Sequence, residues 1–442
     1  MNKPIVILVY PKINHEKDYL YHWIPFSLLT IAKPIVESGN AEIIIFDENQ
    51  SSLDEWDRLL EMYINRTICF GFSIMTGGGQ IANALELIRM IKLRDATKLI
   101  VVGGPHVNVL PLQTLNHELI DVVLSGPGQN SFPHFIAALL NETNFSNVPG
   151  LIMKHNGGRI YGTKNEPRPK ELGRYPWELL NICEYIRDDK TISSKTLNYV
   201  SSQGCIYKCQ FCYELTYQRK YKEIDSYSLL DDIENLISLY GITGVKFYDA
   251  DWFINLKRAM EFSQGIIKRN INLNWAASIN PNDILRARKQ YSNLLSVLAQ
   301  SGCTRLLMGV ESGSNRILNE VIKKEITKEK IVEVAKEIAK SGILGSYTFI
   351  IGFPGETKDE MNMTIDLIKE LRELTPQPET RVHLFAPYPG TPLFDIACKH
   401  GFNPPTNLEG WSSFDYYDSQ TPWTDSSYVD LARRYTLIKN IN

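Results

Sequence analysis

Cys205, Cys209 and Cys212 stand within eight residues of one another, in the order Cys-x3-Cys-x2-Cys. Three thiolates on one loop suit a soft metal, either zinc or an iron–sulfur cluster. A structural zinc site asks for four ligands. The closest candidates in sequence, His155 and Cys183, belong to no spaced pair. A cluster held by three thiolates leaves one iron open to a substrate or cofactor. The other cysteines, Cys69, Cys183, Cys303 and Cys398, carry no ligand spacing, and Cys69 and Cys303 lie in or beside apolar segments where buried, inert thiols are common. Seven cysteines in 442 residues make neither an even nor a dense disulfide framework.

The elements that must position this loop are legible around it. Asn198–Ser202 reads as the strand that delivers it. Ser228 and Asp231 look like a capping box opening a helix that Gly241 closes. Strands follow at Gly244–Tyr248, Leu306–Val310 and Ile343–Ile351, with helices opened by Thr327 and by Thr357 with Glu360. Repeated βα units of this length predict a full or partial barrel with its active site at the carboxyl ends of the strands. Upstream, Ile5–Val9, Glu42–Phe46, Ile68–Ser73, Lys98–Val102 and Ile120–Leu124 are near-continuous apolar runs, as in parallel strands buried on both faces. Helical stretches such as Phe26–Ser38 and Ile81–Ile91 alternate with them. A doubly wound α/β domain follows, and three of its strand ends carry glycine: Gly77-Gly78-Gly79, Gly103-Gly104 and Gly126-Pro127-Gly128. The expected division is 1–142 for this Rossmann-like, flavodoxin-like domain, 143–195 for a proline- and glycine-rich connector with a small hairpin across Leu151–Tyr161, 196–395 for the barrel and 396–442 for a tail. The aromatic tail residues Trp411, Tyr416, Tyr417 and Trp423 could close over the substrate, and packing against the barrel is the expected alternative.

Composition excludes several classes. Forty-three per cent hydrophobic and 22% charged residues describe a globular chain, and 47 basic against 50 acidic side chains give a net charge of −3 with no global field for nucleic acid. Apolar runs are too short to span a bilayer, and no signal-peptide pattern opens the sequence, so a cytoplasmic location is expected. Gly126-x-Gly-x-x-Ser131 lacks the third glycine of a dinucleotide fingerprint and does not follow the first strand.

The three-cysteine loop after the first barrel strand resembles the signature of the radical SAM enzymes. Later segments resemble that family in order: Val245 to Asp251 its second strand, with Asp249 and Asp251 at the active-site end; Gly309-Val310-Glu311-Ser312-Gly313 its fourth; Gly352 to Thr357 the loop after the fifth; and Tyr388-Pro389-Gly390-Thr391-Pro392 the loop after the last. The amino-terminal loops Gly71 to Thr76, Gly103 to His106 and Ser125 to Gln129 resemble those of a cobalamin-binding domain fused to such barrels. The resemblance covers about residues 1 to 395 and implies a partial (β/α)6 barrel with a 4Fe–4S cluster on Cys205, Cys209 and Cys212. The cluster's open iron would chelate S-adenosylmethionine and cleave it to a 5′-deoxyadenosyl radical, with Phe211 near the adenine and Glu311 and Ser312 on the ribose and amino acid.

It also implies cobalamin held by Ser73, Thr76, Gly103, Gly104, Gly126 and Gly128, with His106 near its tail. No Asp-x-His-x-x-Gly motif is present, so a histidine ligand to cobalt is not implied. Two departures stand out: Gly126-Pro127-Gly128-Gln129 replaces a frequent Gly-Glu-Gly-Glu, and Trp275 is followed by Ala276 rather than by a common arginine. The implied reaction is methylation of an unactivated carbon or a phosphinate-type centre of a small molecule, in the biosynthesis of a specialised metabolite, with electrons from an external flavodoxin or ferredoxin. The alternatives are a non-methylating radical reaction (dehydration, epimerisation or cyclisation), and a cobalamin sensor with a vestigial barrel. Intact clustered thiols argue against the sensor. Tyr248, Asp251, His383 and Tyr388, near strand ends, are the candidate substrate-facing residues.

Overall fold

The computed structural model describes residues 3–13, 23–164, 172–216, 221–375, 378–414 and 421–437. Tyr416 and Tyr417 of the aromatic tail, and Pro167 and Pro169 of the connector, lie outside them. Two seven-stranded sheets carry the fold.

The first is built on β1 (Ile5–Tyr10), β2 (Glu42–Asp47), β3 (Thr67–Ser73), β4 (Leu99–Gly103) and β5 (Val122–Leu124), all parallel, in the order β2-β1-β3-β4-β5. This is a flavodoxin-like order, whose chain reverses direction between β1 and β3 and opens a crevice at their carboxyl ends. Alternate residues feed two separate apolar layers: Ile5, Ile7 and Val9 on one face, Val6 and Leu8 on the other. Burial on both faces explains why the sequence shows runs rather than alternation. The helix Phe26–Ser38 ends as expected at Gly39, in the left-handed conformation. The hairpin of β6 (Leu151–His155) and β7 (Gly158–Tyr161) does more than connect: β6 pairs antiparallel with β5 and extends this sheet.

The second sheet follows β8 (Arg187–Asp189), β9 (Ser193–Tyr199), the short ribbon β10 (Ser202–Gln203) with β11 (Lys222–Glu223), and then β12 (Gly244–Phe247), β13 (Asn274–Ile279), β14 (Cys303–Glu311), β15 (Leu344–Ile351) and β16 (Glu379–Leu384). Its order is β16-β15-β14-β13-β12-β9-β8, six parallel strands plus the antiparallel β8 at one edge. Among the described residues no ladder joins the edge strands β8 and β16, and the sheet forms a partial barrel. One charged side chain bridges the gap: Arg305 on β14 reaches Asp189 on β8 and Glu379 on β16, both at 3.4 Å. Outward residues such as Leu306, Met308, Tyr347 and Phe349 form the apolar layer under the helices.

Thr327 and the Thr357–Glu360 capping box open their helices as read from the sequence. The helix Ser226–Tyr240 does not use Ser228. Asp225 caps it, accepting from the amides of Tyr227 and Ser228, because its carboxylate stands where the first free N–H groups point.

The tail departs further from expectation. Leu408 and Trp411 belong to the apolar layer of the first sheet, and the Trp411 indole donates to Gln113 Oε1 at 2.8 Å. Trp423, by contrast, donates to Gly352 O on the barrel side at 2.9 Å. The segment after the helix Pro392–Lys399 therefore crosses from barrel to first domain and returns. No helix among the described residues is long and apolar enough to cross a membrane.

Candidate active site

The cysteine loop leaves β9 at the carboxyl end of the barrel and is fixed on several sides. Asp249, just past β12, accepts from Ser201 N, Ser201 Oγ and Ser202 Oγ at 2.6–2.7 Å, pinning the loop's first residues. The carboxylate expected to face the active site is thus an anchor beneath it. The backbone of Gln210, between the second and third cysteines, donates to Ile322 O and accepts from Leu393 N. Tyr207 donates to Asp283 Oδ1 at 2.6 Å from between the first and second.

The three thiols lie close enough to raise one another's pKa, and burial, the larger cause, pushes Cys205 and Cys212 up to about 12 and Cys209 upward as well. Such thiols stay protonated and inert unless a metal displaces the proton. Among the described residues no group of three or more His, Cys, Asp or Glu is arranged around a single ion. Three thiols on one loop are a ligand set that an iron–sulfur cluster uses, each thiolate on its own iron. Cys69 and Cys303, as expected, are sealed in the apolar layers.

Beside the loop, β14 ends on a bulge, where its register with β15 shifts between Gly309 and Glu311. Glu311 has φ 70°, a strained conformation for a side-chain-bearing residue, of the kind that accumulates at functional sites. Its carboxylate folds back over Gly309, where a Cβ would collide with it. Lys324 Nζ holds that carboxylate at 3.1 Å in a buried pair. Burial pulls the Lys324 ammonium down, but Glu311 and the nearby thiols outweigh it and raise it above its ordinary value. Lys324 was not singled out in the sequence, since thirteen residues separate it from its partner.

Ser312 turns away from the site: its hydroxyl contacts Thr364 Oγ1 at 3.2 Å and accepts from Ser314 N, so only its backbone remains for a ligand. Phe211 packs on Phe353, with ring centroids 6.0 Å apart.

Asp251 lies beside Asp283, and burial followed by that neighbouring carboxylate drives it well above the ordinary carboxylate range. Tyr248 is stacked between the first domain and the barrel. The Trp23 ring lies 4.1 Å from it, centroid to centroid, and Lys246 Nζ sits 4.5 Å from its own centroid. Trp23 is a further residue that sequence reading missed. His383 stands on the inner wall, and burial, then Arg381, lowers it to about 4, so it is neutral near pH 7. Tyr388 packs between Tyr213 of the cysteine loop and Phe414 of the tail, as part of the wall.

Facing this mouth, the first sheet opens a cleft of about 450 Å³ at the ends of β3, β4 and β5. Ser73, Gly103, Gly104, Gly126 and Gly128 line it, and the opposite wall is Gln203, Tyr213 and Glu214, which flank the cysteines. Gln129 Nε2 donates to Gln203 Oε1 at 3.2 Å, and the Tyr213 hydroxyl donates to Pro105 O. Gly104 (φ 99°) could take no side chain: its Cβ would stand 2.7 Å from Ile74 O and 3.1 Å from Ser73 Oγ.

Two expected cofactor contacts are not in this lining. Thr76 Oγ1 bonds His106 Nδ1 at 2.9 Å, and His106 is wholly buried against Trp411, with ring centroids 5.9 Å apart. Burial lowers His106 to about 4, so the imidazole is a neutral packing group turned from the cleft.

Residues 199–368 match the radical SAM superfamily model. The chain is 28% identical over 360 residues to an uncharacterized methyltransferase of Pyrococcus horikoshii, covering 80% of this chain and 74% of that one. It is 24% identical over 397 residues to the anaerobic magnesium-protoporphyrin IX monomethyl ester cyclase of Rubrivivax gelatinosus, covering 88% and 69%. Among solved structures, the methyltransferase TsrM of Kitasatospora setae, with cobalamin and a 4Fe–4S cluster bound, superposes with TM-score 0.69 at 19% identity over 90% of this chain and 75% of TsrM. The cobalamin-dependent enzyme OxsB superposes at 0.76 and 15% identity over 98% of this chain and 66% of OxsB. With the three-cysteine loop at the mouth of a six-stranded partial barrel, residues 199–368 form a radical SAM domain, and the flavodoxin-like domain facing it gives the chain the fold shared by TsrM and OxsB.

Proposed function

We propose that this enzyme is a cobalamin-dependent radical SAM methyltransferase acting on carbon or phosphorus of a small molecule, in the formation of a specialised metabolite. The observation that carries the reading is the shared wall: Gln203, Tyr213 and Glu214 border the cysteines and also close the glycine-lined cleft of the first sheet. Two cofactor sites sharing a wall can act on one substrate between them.

The donors fit both groups. Three buried thiols on one loop suit a 4Fe–4S cluster, and a cleft whose strand ends lack Cβ atoms admits the flat edge and tail of a corrinoid. When bound, the cluster with adenosylmethionine supplies one-electron cleavage and hydrogen abstraction, and the corrinoid supplies the methyl group; an external flavodoxin or ferredoxin supplies the electron.

The chain's own residues hold the geometry. Cys205, Cys209 and Cys212 bind the cluster, and Asp249 and Gln210 fix their loop. Glu311, oriented by Lys324, accepts hydrogen bonds from adenosylmethionine. Trp23 and Tyr248 narrow the mouth and exclude water, which protects a reactive species from side reactions.

The test needs no substrate. The anaerobically purified chain is loaded with iron, sulfide and hydroxocobalamin, desalted, reduced and given adenosylmethionine carrying a deuterated methyl group. Retained iron–sulfur and corrinoid absorption, 5′-deoxyadenosine, and deuterated methylcobalamin by mass spectrometry are expected. Absence of 5′-deoxyadenosine overturns the reading. Deoxyadenosine without retained corrinoid selects instead a non-methylating radical reaction, the reading favoured by similarity to the magnesium-protoporphyrin cyclase over 88% of this chain.

A further inference from the structure

The inner wall of the barrel carries charge that the cluster and its loop do not use. Inward positions alternate with the apolar outward ones, and Ser278, Leu307, Thr348, Ile350, Arg381 and His383 are half-exposed while their outward neighbours are buried. Solvent therefore reaches this wall. Lys246, Arg305 and Arg381 lie close enough on this wall to repel one another, with Asp189 and Glu379 as the neighbouring carboxylates that act on Lys246. Both carboxylates turn to Arg305, at 3.4 Å each.

Arg381 is the unmatched charge. It lies within β16, level with Thr348 on β15 and Gly309 on β14. Its Nε is buried with no acceptor, and no carboxylate among the described residues forms an ion pair with it. A guanidinium taken partly out of water without a carboxylate is costly unless an anion arrives. The surroundings register the same shortage. Burial, then Arg305 and Arg381, pulls the Lys246 ammonium well below its ordinary value despite Asp189 and Glu379. An anion landing here would relieve both cations.

We infer that this wall docks the substrate, and that the substrate bears an anionic group, carboxylate or phosphoryl, which Arg381 receives through paired N–H···O hydrogen bonds. The inference rests on the radical reading of the same site. It assigns specificity to the far end of the substrate: the anion is anchored within the barrel, and the carbon or phosphorus to be modified is held toward the cysteine loop. Arg381 is then a positioning residue whose planar fork matters as well as its charge.

The test is a titration of the cluster-loaded protein, with S-adenosylhomocysteine filling the adenosylmethionine site. Three probes of similar length are compared: propylphosphonate, butyrate and neutral butanol. Tighter binding of one or both anions than of butanol is expected, and whichever binds identifies the group. In Arg381→Gln that affinity falls about tenfold or more, and Arg381→Lys recovers part of it. Cluster absorption in each variant reports that the barrel has folded. Equal binding of all three probes to the unaltered protein overturns the inference, as does equal anion binding in the Arg381→Gln variant when its cluster is intact. Because binding is read without turnover, this failure is separate from the absence of deoxyadenosine that would overturn the radical reading.

Discussion

The two interior spaces of this molecule are made in opposite ways. The cleft of the first sheet is made by leaving side chains out: its floor is glycine at the ends of β4 and β5, and both faces of the sheet behind it are apolar. The barrel mouth is made by putting charges in and then holding each one. Glu311 is held by Lys324, Asp251 lies beside Asp283 and Asp249 is held by two serines, whereas among the described residues Arg381 forms no ion pair. The first construction suits a large ligand recognised by shape. The second suits chemistry, where orientation and local field decide the outcome.

The largest effect should fall on the barrel alone. Replacing Cys209 by Ala removes one of three thiolates and leaves a cluster without enough protein ligands. Deoxyadenosine formation should drop by roughly a thousandfold or more, the scale seen when an obligatory catalytic group is removed, while corrinoid retained in the cleft after desalting stays near the unaltered level. Loss of both together would mean that the two spaces are one cooperative site, and the contrast drawn above would fail.

A smaller effect separates the two regions through the tail that joins them. Trp411 is 1% exposed and packs in the first domain's apolar layer, whereas Trp423 is only partly buried, beside the barrel. Trp411→Ala should cost about 3–5 kcal/mol, the usual price of emptying a buried tryptophan site. Urea denaturation should show a lower midpoint for it than for Trp423→Ala. Equal shifts would show that Trp411 contributes no more to the first domain than Trp423 does beside the barrel.

The expectation that the tail packs against the barrel holds for Trp423 and not for Trp411, and this marks the boundary of what the sequence carries. Strands β1 to β4 were legible to within a residue or so at each end, because burial on both faces leaves unbroken apolar runs. The cysteine loop was legible because its ligands are local. Trp23 on Tyr248, Lys324 on Glu311 and Trp411 on Gln113 were not, since each joins residues whose separation in sequence has no period and no motif. Arg381 is the extreme case: its significance lies in a partner it lacks, which only the surrounding wall reveals. His106 failed differently. A histidine beside a glycine turn looks like a ligand contact, yet the short helix Pro105–Val109 aims it at Trp411 and away from the cleft.

The smallest effect tests the cleft itself. If its glycines serve by absence, adding one methyl group should damage corrinoid binding and leave the barrel untouched. Gly104 is the sharpest position, because its backbone has φ 99° and a Cβ there would press on Ile74 O and Ser73 Oγ. The loop must shift to accept alanine, and strain of this kind costs of the order of 1–3 kcal/mol. Corrinoid affinity should therefore weaken about tenfold, measured by equilibrium dialysis with hydroxocobalamin, since tenfold corresponds to about 1.4 kcal/mol. Cluster absorption and deoxyadenosine yield should hold, for Gly104 touches neither Glu311 nor the cysteines. Gly157→Ala, at the exposed turn of the β6–β7 hairpin where a Cβ meets nothing within 4 Å, bears similar backbone strain far from the cleft. If that variant weakens corrinoid binding as much as Gly104→Ala does, strain anywhere in the domain suffices, and recognition by a glycine-floored cleft is the wrong account.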